Sequence, residues 1–182
     1  MRVFIATLFL TLLLNSCASK PPYSTNYPLT HQTFQSRDGM FSGRIPYGWF
    51  SSTNDTLAQA LVVWLLKEDF SAAITIRELI LDRLSSKRVQ KEGLETLAFI
   101  SAGFRTSNSN NLKTNPITFK LNGKEFCSYE LITNTIQKRI VVFSLKGKYY
   151  ECESSPLKMQ LSKEEIINLF TIQQTVLSSI TF

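Results

Sequence analysis

The chain has 182 residues, 43% of them hydrophobic, and a formal net charge of +6. That length suits a single core once a leader is set aside, and that apolar content excludes disorder as the default state. The basic residues are scattered without a dense block, through Arg83, Lys87, Arg88, Lys91, Lys120, Lys124, Lys138, Arg139, Lys146 and Lys148; nothing points to nucleic acid, and the excess reads as a solvated surface with some attraction for anionic membranes.

Arg2 supplies a positive start, and Val3 to Leu14 is apolar except for Thr7 and Thr11. The stretch is shorter than the roughly 20 residues that span a bilayer core, and it fits a secretory signal. It ends in Leu14-Asn15-Ser16-Cys17, which resembles the bacterial lipobox, with Asn15 a mild departure. Residues 1–16 are therefore expected as a signal peptide, and Cys17 as the lipidated first residue of the mature chain. Two or three acyl chains make a stable membrane anchor where one does not. Ala18 is not the aspartate that retains such proteins at the inner membrane under the enterobacterial rule, so the expected location is the periplasmic face of the outer membrane. Residues 17–33, with prolines at 21, 22 and 28, read as lipidated cysteine plus flexible tether. The only histidine, His31, lies at its end.

The domain is expected over 34–182. Asp38-Gly39 signals a turn, Met40 to Pro46 a short strand, and Tyr47-Gly48-Trp49-Phe50 a turn leading into a second short strand. Leu57 to Leu66 is nearly continuous apolar sequence, which fits a buried helix or a buried strand. Val62, Val63 and Trp64 favour strand, so Lys67-Glu68-Asp69 reads as a hairpin turn into a second strand over 70–81. Ser85 to Phe104 reads as one helix capped by Ser85 or Ser86, and 106–111 as a loop. Asn122-Gly123 joins strands 118–121 and 124–133 in a tight hairpin. Ile136 to Leu145 places Arg139, Val141, Phe143 and Leu145 on one side. Lys148 to Ser154 follows, with Tyr149 and Tyr150 facing opposite ways. Ser162 and Glu165 form a capping box for a last helix whose stripe includes Ile166, Leu169, Phe170, Gln173, Leu177 and Ile180. Strands, a helix, a meander and a helix give α+β: an antiparallel sheet with helices packed on its faces.

The segment Ser36 to Trp49, with Asp38-Gly39 ahead of Phe41-Ser42-x-x-x-Pro46-x-Gly48-Trp49, resembles the opening of PsbP-like and DcrB-like proteins. The later order of Asn-Gly hairpin, Tyr149-Tyr150-Glu151-Cys152 strand and final helix matches by pattern. The resemblance implies an α/β/α sandwich over about 34–182. It also implies a non-enzymatic envelope lipoprotein or an accessory factor of a membrane complex, with Pro46 and Trp49 as fold residues.

Lipidation of Cys17 leaves Cys127 and Cys152. An oxidising periplasm permits them to pair, but strands two apart in a meander are too distant for a disulfide; both readings stay open here. No phosphate loop, nucleophile elbow or metal-ligand cluster is present, and no cofactor is expected. Glu151 and Glu153 flank Cys152 and read as a charged solvent face in preference to a weak calcium site. The leading expectation is a non-catalytic domain, tethered to the membrane by its lipid, that binds an envelope protein. A small-ligand pocket lined by Trp49, Tyr149 or Tyr150 is the second reading, and a serine hydrolase using a lysine base the third.

Overall fold

The computed structural model describes residues 20–52, 60–106, 111–158 and 161–181. Two strands open the chain, β1 (Leu29–Gln35) and β2 (Ser42–Pro46), paired antiparallel as a separate small sheet. The remaining strands are β3 (Trp49–Ser51), β4 (Leu61–Lys67), β5 (Ala72–Leu79), β6 (Asn111–Leu112), β7 (Ile117–Leu121), β8 (Lys124–Thr133), β9 (Ile136–Leu145) and β10 (Lys148–Pro156). They form one antiparallel sheet in the order β3-β4-β5-β10-β9-β8-β6, with β7 also paired to β8. The helices are α1 (Arg83–Glu92), α2 (Leu94–Thr106) and α3 (Lys163–Ser179).

The sheet is covered on both faces. Val141, Phe143, Tyr150 and Cys152 pack with α3 and the β1–β2 hairpin in one buried cluster. Ile140, Val142, Tyr149 and Cys127 pack beneath α1 and α2 in the other. Adjacent residues thus feed opposite cores, because strand side chains alternate. This is the expected α+β class, as an α/β/α sandwich. The run expected as strands is β4 from Leu61 onward, where Val62, Val63, Leu65 and Leu66 are all buried; a strand buried on both faces reads as a continuous apolar run. Leu57 lies outside the described residues.

The tight turns follow their chemistry. Asn122 and Gly123 both have positive φ, as do Lys146 and Gly147, the geometry of two-residue hairpins. The capping box at Ser162 and Glu165 is formed.

Two expectations are corrected. The helix expected over 85–104 is two helices, broken at Gly93, whose φ of 88° turns the chain. Its cap is Asp82, not Ser85 or Ser86, with the carboxylate accepting from the Leu84 and Ser85 N–H groups. Ser85 and Ser86 lie inside the helix, which begins at Arg83, so the capping position falls on Asp82. Residues expected as tether are also part of the domain: β1 begins at Leu29, and Tyr23 and Tyr27 pack against the main core.

Gly43, inside the opening motif, has a physical reason to lack a side chain. A Cβ there would lie 2.5 Å from Cζ of Phe34, a ring only 3% exposed. Gly43→Ala is expected to cost about 1–3 kcal/mol by overpacking, with part of the loss recovered when Phe34→Leu is added. Thermal unfolding of the two variants measures this.

Candidate functional site

The first residues singled out by the sequence, including Cys17 and the lipobox, lie outside the described residues. Cys127 and Cys152 are both buried and free. Cys127 sits opposite Val142 and Cys152 opposite Val141, on strands separated by β9. The thiols face different cores, which rules out the disulfide. Burial pushes the Cys127 thiol up to about 11 and the Cys152 thiol up to about 12, so neither is a reactive thiolate.

The aromatic candidates are core residues. Tyr150 is fully buried and donates to Asp38 Oδ2 at 2.7 Å, pinning the Asp38-Gly39 turn to the central strand. Tyr149 packs beneath α1, its hydroxyl 3.4 Å from the Ser86 carbonyl. Trp49 is 4% exposed, and its indole N–H has no hydrogen-bond partner among the described residues. It lines a notch with Lys67, Ser71, Glu165, Asn168 and Leu169 of about 50 Å³. That holds water, not a small-molecule ligand, whose pockets run to roughly 300–1,000 Å³.

The notch contains an arrangement related to the hydrolase reading: Lys67 Nζ lies 3.2 Å from Ser71 Oγ. A lysine base needs burial away from anions. Lys67 is instead 40% exposed and 3.1 Å from Asp69 Oδ2, while Asp69 Oδ1 accepts the Ser71 N–H at 2.8 Å. The group is a turn staple.

Glu151 and Glu153 do point away from Cys152, as expected, but not into solvent. Glu151 is 1% exposed and is held by Arg77, by Arg105 at 2.5 Å and by the Ser101 hydroxyl at 2.6 Å. Glu153 pairs with Arg105 at 2.7 Å and Lys138 at 2.9 Å. The sequence hid this because the arginines come from β5 and α2, far along the chain. Burial pushes the Glu153 carboxyl up, but the attraction of Arg105 and Lys138 outweighs it and holds the group below its ordinary value. Among the described residues, no cluster of histidine, cysteine or carboxylate side chains is placed to hold a metal.

Two features were not anticipated. Arg139 is 1% exposed, and its hydrogen-bond partners among the described residues are all uncharged. Its guanidinium donates to Gln174 Oε1 at 2.9 Å and Gln173 Oε1 at 3.2 Å, and lies under the Tyr23 ring, 4.7 Å from its centroid. Burial brings the guanidinium down to about 10. Tyr23 also donates to Glu130 Oε1 at 2.5 Å, and its carbonyl accepts from the Gln174 amide. The N-terminal segment is therefore clasped to the domain at Tyr23. The second feature is an exposed aromatic pair at the sheet edge: Phe50 on β3 and Phe70 in the β4–β5 turn stack edge-to-face at 5.8 Å, 37% and 59% exposed. Leu157, 51% exposed, donates its backbone N–H to the Ser71 carbonyl beside them. The alternation in the sequence could have shown Phe50 as outward; its meeting with Phe70 depends on the turn.

No family model and no curated protein matches the chain. Solved structures do. The solution structure of cyanobacterial PsbP from Synechocystis sp. PCC 6803 aligns over 93% of this chain and 98% of its own, at 13% identity and a TM-score of 0.56. The crystal structure of the Ran-binding protein Mog1p of Saccharomyces cerevisiae aligns over 85% and 96%, at 12% identity and a TM-score of 0.51. The chain has the PsbP-like fold.

Two outcomes are expected. Under native conditions neither core thiol reacts with iodoacetamide at neutral pH; in denaturant without reductant both react, and failure there would reveal a disulfide. Because the folded-state pKa of Glu153 is depressed, its contribution to stability is present above the ordinary carboxyl value of 4.5 and is lost as pH falls through the folded value. Glu153→Gln is expected to cost about 2 kcal/mol at pH 7 and to flatten the acid limb of urea-unfolding free energy against pH.

Proposed function

We propose that this chain is a lipid-anchored, non-catalytic accessory domain of the bacterial envelope, and that it binds a membrane-associated protein through the aromatic edge at β3. The observation that carries the reading is the Phe50–Phe70 pair. β3 is the end of the sheet order and only three residues long. Two neighbouring aromatic side chains left exposed there, with Leu157 alongside, are the type of residue that anchors protein interfaces.

The titratable groups support the same reading. Glu151, Glu153 and Asp38 are occupied by structural partners, and the serine nearest a lysine sits in the Lys67–Asp69–Ser71 staple. No helix among the described residues is long and apolar enough to cross a membrane, so the lipobox at Cys17 is the feature that would hold the domain there, with Ala18 favouring the outer membrane. The PsbP-like fold fits an accessory role, in line with the name of the yeast neighbour as a Ran-binding protein.

Membrane attachment is tested by palmitate labelling: the natural chain takes up label and Cys17→Ser does not. Partner binding is tested with a photo-crosslinking amino acid in place of Phe70 in the native host. A discrete adduct is expected, and Phe50→Asp abolishes it without lowering the melting temperature by more than a few degrees. Absence of any adduct from this position, in a chain that is lipidated and folded, overturns the edge as the binding surface.

A further inference from the structure

Lysines gather around the clasp at Tyr23. Lys113 and Lys163 line an open recess of about 370 Å³ together with Pro22, Tyr23, Glu130 and Ile167. Lys20 and Lys120 line a second recess with Tyr23 and Ser24. The carboxylate among these linings, Glu130, already accepts from Tyr23 and Gln137 and lies 3.7 Å from Lys113. Glu125, opposite Lys120 in the β7–β8 register, and Glu164, beside Lys163, offset part of the charge, and a positive excess remains. Ile167 adds an apolar side chain, 46% exposed.

We propose that this clasp face rests on the membrane, with its lysines against anionic phospholipid headgroups. The inference rests on lipidation at Cys17. Only five residues lie between Cys17 and Tyr23, and a chain extends at most about 3.6 Å per residue step, roughly 20 Å over the six steps. Tyr23 is fixed by four contacts: the Arg139 guanidinium, the Glu130 carboxylate, the Gln174 amide and the Phe170 ring at 5.5 Å. The lipid is thus leashed to one side of a domain about 40 Å across, and that side carries the lysines. Each lysine held near an anionic surface strengthens attachment roughly fivefold, and the effect falls off within a Debye length.

A rival basic surface exists on α1, where Arg83, Lys87, Arg88 and Lys91 are exposed beside Leu84. It lies on the other face of the sheet, two layers from the clasp, with each layer spacing about 10 Å. The short leash therefore favours the clasp face, and the α1 face turns away from the bilayer.

The test uses the mature, lipidated chain in vesicles of phosphatidylcholine with and without phosphatidylglycerol. Nitroxides are introduced through Lys163→Cys on the clasp face and Arg88→Cys on α1. Relaxation by a nickel-chelating lipid reports proximity to the headgroups. The expected result is strong relaxation at position 163 in the anionic vesicles, several-fold weaker relaxation at position 88, and loss of the difference in 1 M salt or in a Lys113→Glu/Lys120→Glu variant that still takes up palmitate. Equal relaxation at the two positions, or stronger relaxation at 88, overturns the proposal. Failure of palmitate uptake by the natural chain overturns the lipoprotein reading instead, and this inference with it. Tyr23→Ala tests the leash: it should release the face and reduce the relaxation at 163 while palmitate uptake persists.

Discussion

Arg139 enters the core from the centre of β9, and much of one side of the molecule is arranged to accept it. A guanidinium removed from water needs acceptors for its donors, and those it meets among the described residues are uncharged. The acceptors are the carboxamides of Gln173 and Gln174, both fully buried on α3. Two aromatic rings complete the enclosure, Tyr23 at 4.7 Å and Phe119 at 5.6 Å. Because the glutamines are consecutive, α3 can satisfy the guanidinium in one rotation and one axial register. Gln173 in turn donates its amide hydrogens to the carbonyls of Cys152 and Arg139, tying the helix to β10 and β9. Neutral acceptors and π faces replace an ion pair, so the site keeps its positive charge and draws the N-terminal segment over it.

The opposite face solves the reverse problem. Glu151 is a buried anion, and its partners come from both flanks, Arg77 from β5 and Arg105 from α2. Ser101 bridges the same carboxylate and the Tyr129 hydroxyl. Such a network fixes α2 over the sheet more by direction than by net free energy, since buried ion pairs lose much of their attraction to desolvation. The sheet therefore carries one buried cation and one buried anion on its two faces, each orienting the layer that covers it. The apolar clusters supply the bulk of the stabilisation, at about 1.5–3 kcal/mol for each fully buried aliphatic or aromatic side chain.

What was legible depended on how local the cause was. The hairpin at Asn122-Gly123 was visible because positive φ is set by two adjacent residues. The α3 capping box was visible because its partners lie three residues apart. The opposed faces of Tyr149 and Tyr150, and the shared side of Arg139, Val141 and Phe143, follow from strand alternation alone. Residues 85–104 were read as one helix, when Gly93 is the break between two. The cap at Asp82 was missed because the expected helix was started too late. Residues 20–33 looked like a tether because prolines and polar residues dominate them; their packing is supplied by Tyr23 and Tyr27 meeting groups on strands and a helix more than a hundred residues away.

By itself the sequence determined the class of the fold, the alternation that divides the strands between two cores, and the residues that form the turns. It also carries the signature of a lipid anchor at Cys17, whose pattern is contiguous. Only the tertiary structure decided that Cys127 and Cys152 face apart, that Glu151 is buried between two arginines and not solvated, and that Phe50 meets Phe70 at an open edge. It likewise decided that the chain is held at Tyr23, beside a group of lysines. The physical reason is the same in each case. Periodicity and turn chemistry act over a few residues, whereas ion pairing, burial of charge and the hold on Tyr23 depend on which distant strands and helices are brought within a few ångströms.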